Sequence, residues 1–264
     1  MINVLVCGAF GKMGREVLKA VHNDKELCLV GAVDAKTDFA DAGELIGVGK
    51  IGVVVGNDLA KVIAATKPQV MVDFTNPEAV MNNIRTAISL GVCPVVGTTG
   101  LSEDNLDEIR NLLSQHKVNA VISPNFSVGA ILMMKLSQEA AKYFPHVEII
   151  ELHHDQKLDA PSGTALRTAE LIAAKRGTMA QGHPNEFEKL TGARGGELSG
   201  IRLHSVRLPG YVAHQEVIFG GLGQTVTIRH DSISRESFMP GVVLACKKVL
   251  TVDGLVHGLE HLLD

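Results

Sequence analysis

The chain has 264 residues, enough for one large domain or two modest ones, and its 45 % hydrophobic and 20 % charged content fits a soluble globular protein with a real core. A net charge of −4, no Trp and only 2 Tyr argue against nucleic acid or an acidic membrane as partner, and against a stacking platform for single strands. The four cysteines lie far apart with no Cys-x-x-Cys pair, which speaks against a cysteine zinc site and for free thiols in a reducing cytoplasm.

The opening Met-Ile-Asn-Val-Leu-Val enters an apolar run at once, unlike a signal peptide. No apolar run approaches the roughly 18 residues of a membrane span. Residues 2–7 read as a buried strand and residues 12–21 as a helix, with Met13, Val17, Leu18 and Val21 at helical spacing. Leu27 to Val33 is a second strand and Val70 to Phe74 a third. Asn76 caps a helix that runs to about Ser89, with Pro77 at its first position. Val92 to Val96 is a strand ending in Gly97-Thr98-Thr99-Gly100; Ser102 then caps a helix that carries Glu103 and Asp104 in its first turn. Val118 to Ile122 is one more strand. Strands alternating with helices predict a parallel sheet covered on both faces.

The pattern changes after about residue 125. A helix covers Val128 to Tyr143, a strand Val147 to Leu152, and a helix Ala165 to Lys175. Residues 177–200, rich in Gly and polar side chains, read as a long loop. Three strands follow, Ile201–Leu208, His214–Phe219 and Gln224–His230, with Gly220, Gly221 and Gly223 between the last two. They predict an open, mainly antiparallel sheet. The segment from Arg235 to Leu250 is helical in pattern.

Gly8-Ala9-Phe10-Gly11-Lys12-Met13-Gly14 joins the first strand to the first helix. Glycines there permit a tight turn, and the helix start offers free N–H groups to a pyrophosphate. The spacing is G-x-x-G-x-x-G, with Phe10 where the commoner G-x-G-x-x-G has its second glycine, so the glycines alone also fit a structural turn. Asp34 follows Gly14 by twenty residues, at the end of the second strand, where an acid can bond the ribose 2′-OH of NADH. Lys36 can offset its repulsion of a 2′-phosphate, which keeps NADPH open. Gly97 to Gly100 and Ser123-Pro124-Asn125-Phe126 end strands at the same sheet edge; each fits a ligand loop or an ordinary turn. Asn125 can bond a carboxamide or cap the next helix.

Residues 151–165 read Glu-Leu-His-His-Asp-Gln-Lys-Leu-Asp-Ala-Pro-Ser-Gly-Thr-Ala. On a strand that alternates its side chains, His153 and His154 point to opposite sides, which disfavours joint metal ligation, and no third ligand is evident. Alone, the pair reads as ordinary surface and structural histidines, and Lys157 as a solvated charge. The Pro161-Ser162-Gly163-Thr164 turn changes that reading. Small residues at a helix start present N–H groups to an anion, with Lys157 and one histidine flanking the spot. The assembly suits a carboxylate-bearing substrate and a histidine proton donor.

These motifs together resemble the dihydrodipicolinate reductase family of lysine and diaminopimelate synthesis. The resemblance rests on Glu151-x-His153-His154-x-x-Lys157-x-Asp159-Ala160-Pro161-Ser162-Gly163-Thr164-Ala165. It is supported by Gly8-x-x-Gly11-x-Met13-Gly14, Asp73-Phe74-Thr75, Gly97 to Gly100 and Asn125-Phe126-Ser127-Val128-Gly129. It implies a Rossmann-like domain over 1–126, a substrate and oligomerisation domain with an open mixed sheet over 127–234, and a C-terminal helical segment over 235–264 that returns to the first domain. It further implies a cytoplasmic homotetramer that uses NADH, NADPH or both to reduce a cyclic imine dicarboxylate. By matching position, His153 and Lys157 would be the acid/base pair; His154, Lys157, Gly163 and Thr164 would hold the substrate. Gly8, Ala9, Phe10, Gly11, Lys12, Met13, Asp34, Gly97, Thr98, Thr99, Ser123, Pro124, Asn125 and Phe126 would line the cofactor. The chain departs from many relatives at Pro124, and at Ala35, where some carry an arginine for the 2′-phosphate. The rivals are another Rossmann reductase for an amino acid or aldehyde, which leaves residues 153–164 unexplained, and an NAD(H) sensor without catalysis.

Overall fold

The computed structural model describes residues 1–36, 39–177 and 179–263. Thr178 of the expected 177–200 loop and Asp264 at the end of the expected C-terminal segment lie outside them. The chain divides into two compact units: Met1–Val128 with the segment from Phe238 onward, and Gly129–Ser237.

In chain order the first unit holds β1 (Ile2–Cys7), α1 (Lys12–Asn23), β2 (Leu27–Val33), α2 (Ala42–Leu45), β3 (Val55–Gly56), α3 (Leu59–Thr66), β4 (Val70–Asp73), α4 (Pro77–Ser89), β5 (Cys93–Val96), α5 (Glu103–His116) and β6 (Ala120–Ile122). The second begins within α6 (Val128–Ala140), then adds β7 (His146–His153), α7 (Gly163–Arg176), β8 (Gly196–Leu198), β9 (Ile201–Arg207), β10 (Ala213–Gly221) and β11 (Gln224–Ser232). The chain closes with α8 (Met239–Lys248) and β12 (Leu255–His257), both in the first unit.

In the first unit seven parallel strands lie in the order β12-β6-β5-β4-β1-β2-β3. Val4 to Cys7 and all of β4, β5 and β6 are buried, as strands covered on both faces must be. One cover layer packs Val80, Ile84 and Ile88 of α4 and Leu106, Ile109 and Leu113 of α5 on Val96 and Ile122. Because β2 and β4 flank β1 on opposite sides, the crossovers diverge at the carboxyl end of β1. Open α/β sheets take their ligands at that point. The local signals act as their chemistry requires. Asn76 Oδ1 accepts from the N–H groups of Glu78 and Ala79, both at 3.0 Å, and Ser102 and Asn105 form a capping box at α5.

In the second unit the sheet order is β11-β10-β7-β9-β8, with β7–β9 parallel and the other pairs antiparallel. Val147, Ile149, Val217, Phe219, Ile201 and Leu203 are buried on one face beneath α7. The sheet is mixed, as the family resemblance implies. The turn between β10 and β11 is narrower than expected. Gly220 and Gly221 pair within the ladder, leaving Leu222 and Gly223 as the loop, with Gly223 at φ +71°.

The structure differs from the sequence reading in four regions. Residues 34–69, left without elements, contain α2, β3 and α3. The 177–200 loop contains β8. The helix expected to reach Tyr143 ends at Ala140. Beyond Leu250 the segment expected to be helical forms β12, which joins the large sheet beside β6. Strands of two or three residues are too short to show a periodicity of their own; their partners create them.

Candidate active site

The β1–α1 turn is shaped by close backbone approach. Gly8 sits at φ +83°, and a Cβ on it would lie 2.7 Å from the carbonyl oxygen of Phe74. A Cβ on Gly14 would lie 1.9 Å from the carbonyl oxygen of Gly8, so only glycine lets α1 start against the strand. Gly11 caps α1 without a side-chain bond, which leaves the first-turn N–H groups of Lys12 and Met13 to an anion. Asp34 closes the turn: its Oδ2 accepts from Phe10 N at 3.0 Å and its Oδ1 from Lys36 N at 2.9 Å. A cavity of about 740 Å³ opens here. It brings together Gly8, Phe10, Gly11, Asp34 and Lys36 with Thr75 and Asn76. This cradle, which side chains on its glycines would fill, fits a dinucleotide.

The other expected cofactor residues lie outside that cavity. Ala9 is buried behind the turn, Lys12 is exposed and Met13 half-buried. Gly97 has a packing reason, since its Cβ would lie 2.1 Å from the ring of Phe74. Thr98 donates through Oγ1 to Asp73 Oδ1 at 2.8 Å, while Thr75 donates to the same oxygen from N and Oγ1 at 3.0 and 2.7 Å. Asn83 Nδ2 donates to Asp73 Oδ2 at 2.8 Å, so this buried carboxylate ties together β4, α4 and the loop after β5. Ser123 Oγ donates to the carbonyl of Asn125 at 2.7 Å and accepts from Leu259 N at 3.2 Å. Asn125 Oδ1 accepts from Ser127 N at 2.8 Å. Phe126 is buried against Phe74, with ring centroids 5.8 Å apart. Thr99 and Pro124 are exposed. Thr98, Ser123 and Phe126 thus spend their side chains on the fold and offer a ligand chiefly backbone. Sequence reasoning missed Asn57, Asp58, Asn82 and Thr86, which line the cavity. Nothing in their local pattern marks them, because β3 and α3 went unrecognised and α4 was read for its caps and core alone.

The second unit holds the residues expected to move a proton and seat an anion. His153 is the last residue of β7, paired with Ala213 of β10 and Arg207 of β9. Two residues earlier on the same face, Glu151 is fully buried. Its Oε2 lies 2.5 Å from His153 Nδ1 and accepts from Arg207 Nη1 at 2.8 Å. Its Oε1 accepts from Arg207 Nη2 at 2.7 Å and from Ser162 N at 3.2 Å. Burial pushes the Glu151 carboxyl upward, but hydrogen bonds from His153, Arg207 and Ser205 overcome it and hold the group at about 2. His154 follows, half-buried. Lys157 Nζ contacts Asp159 Oδ1 at 2.6 Å, a bond that lowers the Asp159 carboxyl below its ordinary range. The chain then passes a cis Ala160–Pro161 bond to Ser162, whose Oγ accepts from Ala165 N at 3.2 Å and caps α7. Gly163 is exposed, its φ is not positive, and a Cβ on it would meet nothing within 4 Å. Packing therefore gives no reason for glycine there. Thr164 follows, half-buried, in the first turn of α7. Arg207, which neutralises Glu151, was missed by sequence reasoning; a lone arginine in a strand 56 positions away carries no signal. Among the described residues no group of three or more His, Cys, Asp or Glu side chains is placed to hold a metal.

The family profile "Dihydrodipicolinate reductase, N-terminus" matches residues 2–126, and "Dihydrodipicolinate reductase, C-terminus" matches residues 129–263. A 4-hydroxy-tetrahydrodipicolinate reductase of Desulfitobacterium hafniense is 56% identical over 264 residues, covering 100% of this chain and 99% of the relative. One from Moorella thermoacetica is 55% identical over 263 residues, covering 100% and 98%. The structure of a dipicolinate-bound dihydrodipicolinate reductase from Paenisporosarcina sp. TG-14 superposes with a TM-score of 0.89 at 46% identity, covering 100% of both chains. An amine dehydrogenase from Mycobacterium smegmatis, at 16% identity and a TM-score of 0.67 over 97% and 94%, shares the fold.

Proposed function

The chain belongs to the dihydrodipicolinate reductase family, and on that premise we propose that it reduces 4-hydroxy-tetrahydrodipicolinate, or its dehydrated ring dihydrodipicolinate, to tetrahydrodipicolinate in the diaminopimelate route to lysine. The observation that carries this reading is the cluster at the end of β7. It sets a hydrogen-bonded imidazole, an ammonium group and an open glycine-started helix within one short stretch of chain.

The turn from Gly8 to Met13, with Asp34, would hold NADH or NADPH. When bound, it would supply a hydride to C4 of the conjugated imine ring, which the hydroxylated ring becomes by losing its hydroxyl as water. The ring's carboxylates go to His154, Lys157 and the N–H groups of Gly163 and Thr164, where the helix start favours negative charge. Lys157 exchanges Asp159 for a substrate carboxylate. Asp159 is 61% exposed, and an ion pair open to water on that side holds by only about 0–1 kcal/mol, so the exchange costs little. Hydride addition leaves an electron-rich enamine, and the imidazolium of His153 gives it a proton at the adjacent ring carbon. Lys157 keeps the ring oriented while that proton moves.

Steady-state kinetics on His153→Ala and Lys157→Ala test the assignment. The first loses about 10²- to 10⁴-fold in kcat, the scale of general acid catalysis, and the second chiefly raises KM for the ring. Near-normal kcat and KM in both would end it. The same reading makes the protein a cytoplasmic homotetramer assembled through the open face of the mixed sheet. In support, Glu148, Ile150 and Leu152 of β7 alternate with its buried residues on the face away from α7. No helix among the described residues is long and apolar enough to cross a membrane.

A further inference from the structure

Glu151 is used by none of the steps above, although it is fully buried and bound by four groups from three elements. A buried carboxylate is costly unless every oxygen is satisfied, so its place in the core beside the proton donor calls for a reason. Arg207 meets it with both terminal nitrogens, which settles the charge without settling what the carboxylate does. Ser205 on β9 adds a further hydrogen bond, and the last two contacts run to the proposed chemistry: the ring of His153 and the backbone N–H of Ser162, the cap of α7.

We propose that Glu151 is the positioning residue of this site: it holds His153 as the Nδ1–H tautomer, so that Nε2 is the atom offered to the ring, and the same carboxylate pins the start of α7. The inference rests on the reading of His153 as proton donor. Glu151 stays ionised at every pH at which the protein works, since its carboxyl lies at about 2. It can therefore only accept a hydrogen bond, and the Nδ1 proton is the one available to it. In the transfer step the N–H bond at Nε2 breaks, a C–H bond forms at the enamine carbon, and its electron pair comes from the enamine. The imidazolium becomes neutral imidazole and the Nδ1 proton stays in place. The charged groups placed against the imidazole are Glu151 on its own strand and Arg207, its ladder partner on β9, while His154, Lys157 and Asp159 follow it in the next loop. Across from it β10 places Ala213, and the start of α7 brings Ser162 and Gly163, none of which titrates.

Glu151→Gln keeps the shape and removes the charge. Its amide N–H can donate to Nδ1 and so hold the wrong tautomer, the fault an amide creates in a hydrolase triad. The expected result is a fall in kcat of about 10²-fold with KM for NADH unchanged. In a His153→Ala background the same substitution costs less than about 3-fold, since Glu151 acts through the imidazole. Equal losses in both backgrounds would overturn the proposal and leave a structural carboxylate. Normal kcat in His153→Ala would instead remove the functional reading beneath it. If Glu151→Gln does not fold, the 15N imidazole spectrum of the unaltered protein decides the matter. With neutral His153, a protonated Nδ1 supports the proposal and a protonated Nε2 overturns it.

Discussion

Gly163→Ala separates the fold from the function at one atom. Gly163 opens α7 behind the Ser162 cap, its φ lies outside the left-handed region, and a methyl group on it would meet nothing within 4 Å. The folded chain therefore accepts alanine without strain, while the unfolded chain loses freedom, a gain of about 0.4–1 kcal/mol. For a protein of this size that corresponds to a rise in Tm of roughly 1–4 °C. The bound ligand meets the opposite effect. If a ring carboxylate rests on the Gly163 and Thr164 N–H groups, the methyl stands in its path, and a misfit of one carbon costs about 1–3 kcal/mol. That is roughly 5- to 150-fold in KM for the ring, with KM for NADH unmoved. Thermal unfolding and steady-state kinetics on one preparation read both numbers. A lower Tm would show that glycine is needed by the fold; an unchanged KM would show that no anion rests there.

The contrast between two glycines of the β1–α1 turn tests the cofactor cradle. Gly14→Ala drives a Cβ to 1.9 Å from a backbone oxygen, against 3.1 Å for Gly11→Ala. The first is expected to lose roughly 2–4 kcal/mol in urea unfolding and at least 10-fold in NADH affinity by fluorescence titration, the second about 1 kcal/mol or less. Indistinguishable variants would mean that the turn yields easily and the cradle is not preformed. Light scattering in solution is expected to report four times the 28.1 kDa chain mass; the mass of one chain would remove the homotetramer.

Legibility in the sequence followed the range of the interaction. Asn76 and Pro77, or Ser102 and Asn105, act within one turn of helix, and residue type alone shows where α4 and α5 begin. The apolar runs of β1, β2, β4 and β5 read as strands, and their alternation with helices announced a sheet covered on both faces. β12 is three residues long and exists because β6 offers a ladder from more than a hundred positions upstream, which no local window contains. The site divides in the same way. Gly8, Gly11 and Asp34 could be placed together because the strand–turn–helix–strand unit is local, whereas Asn82 and Thr86 reach the cavity from a helix placed by the sheet order. Gly97, Thr98, Ser123 and Phe126 drew attention as strand-end residues. The structure supplies packing and hydrogen-bond reasons for them that would hold without any ligand.

Arg207 shows why the second unit needs a residue that sequence reading passed over. A site for a dicarboxylate must be positive overall, yet a carboxylate is the simplest anchor for a histidine that donates protons. Glu151 alone would meet that second need and harm the first, since a negative charge in a low-dielectric setting repels a negative ligand over several ångströms. The two-pronged contact from Arg207 removes the conflict. The carboxylate keeps lone pairs for His153 Nδ1 and Ser162 N while Arg207 cancels its net charge. Arg207 Nη2 also donates to the carbonyl of Asp159 at 2.8 Å, so the same guanidinium braces the loop that carries Lys157. On the proposed roles, donor, anion seat and loop all respond to this single ion pair, and disturbing either partner should reach all three at once.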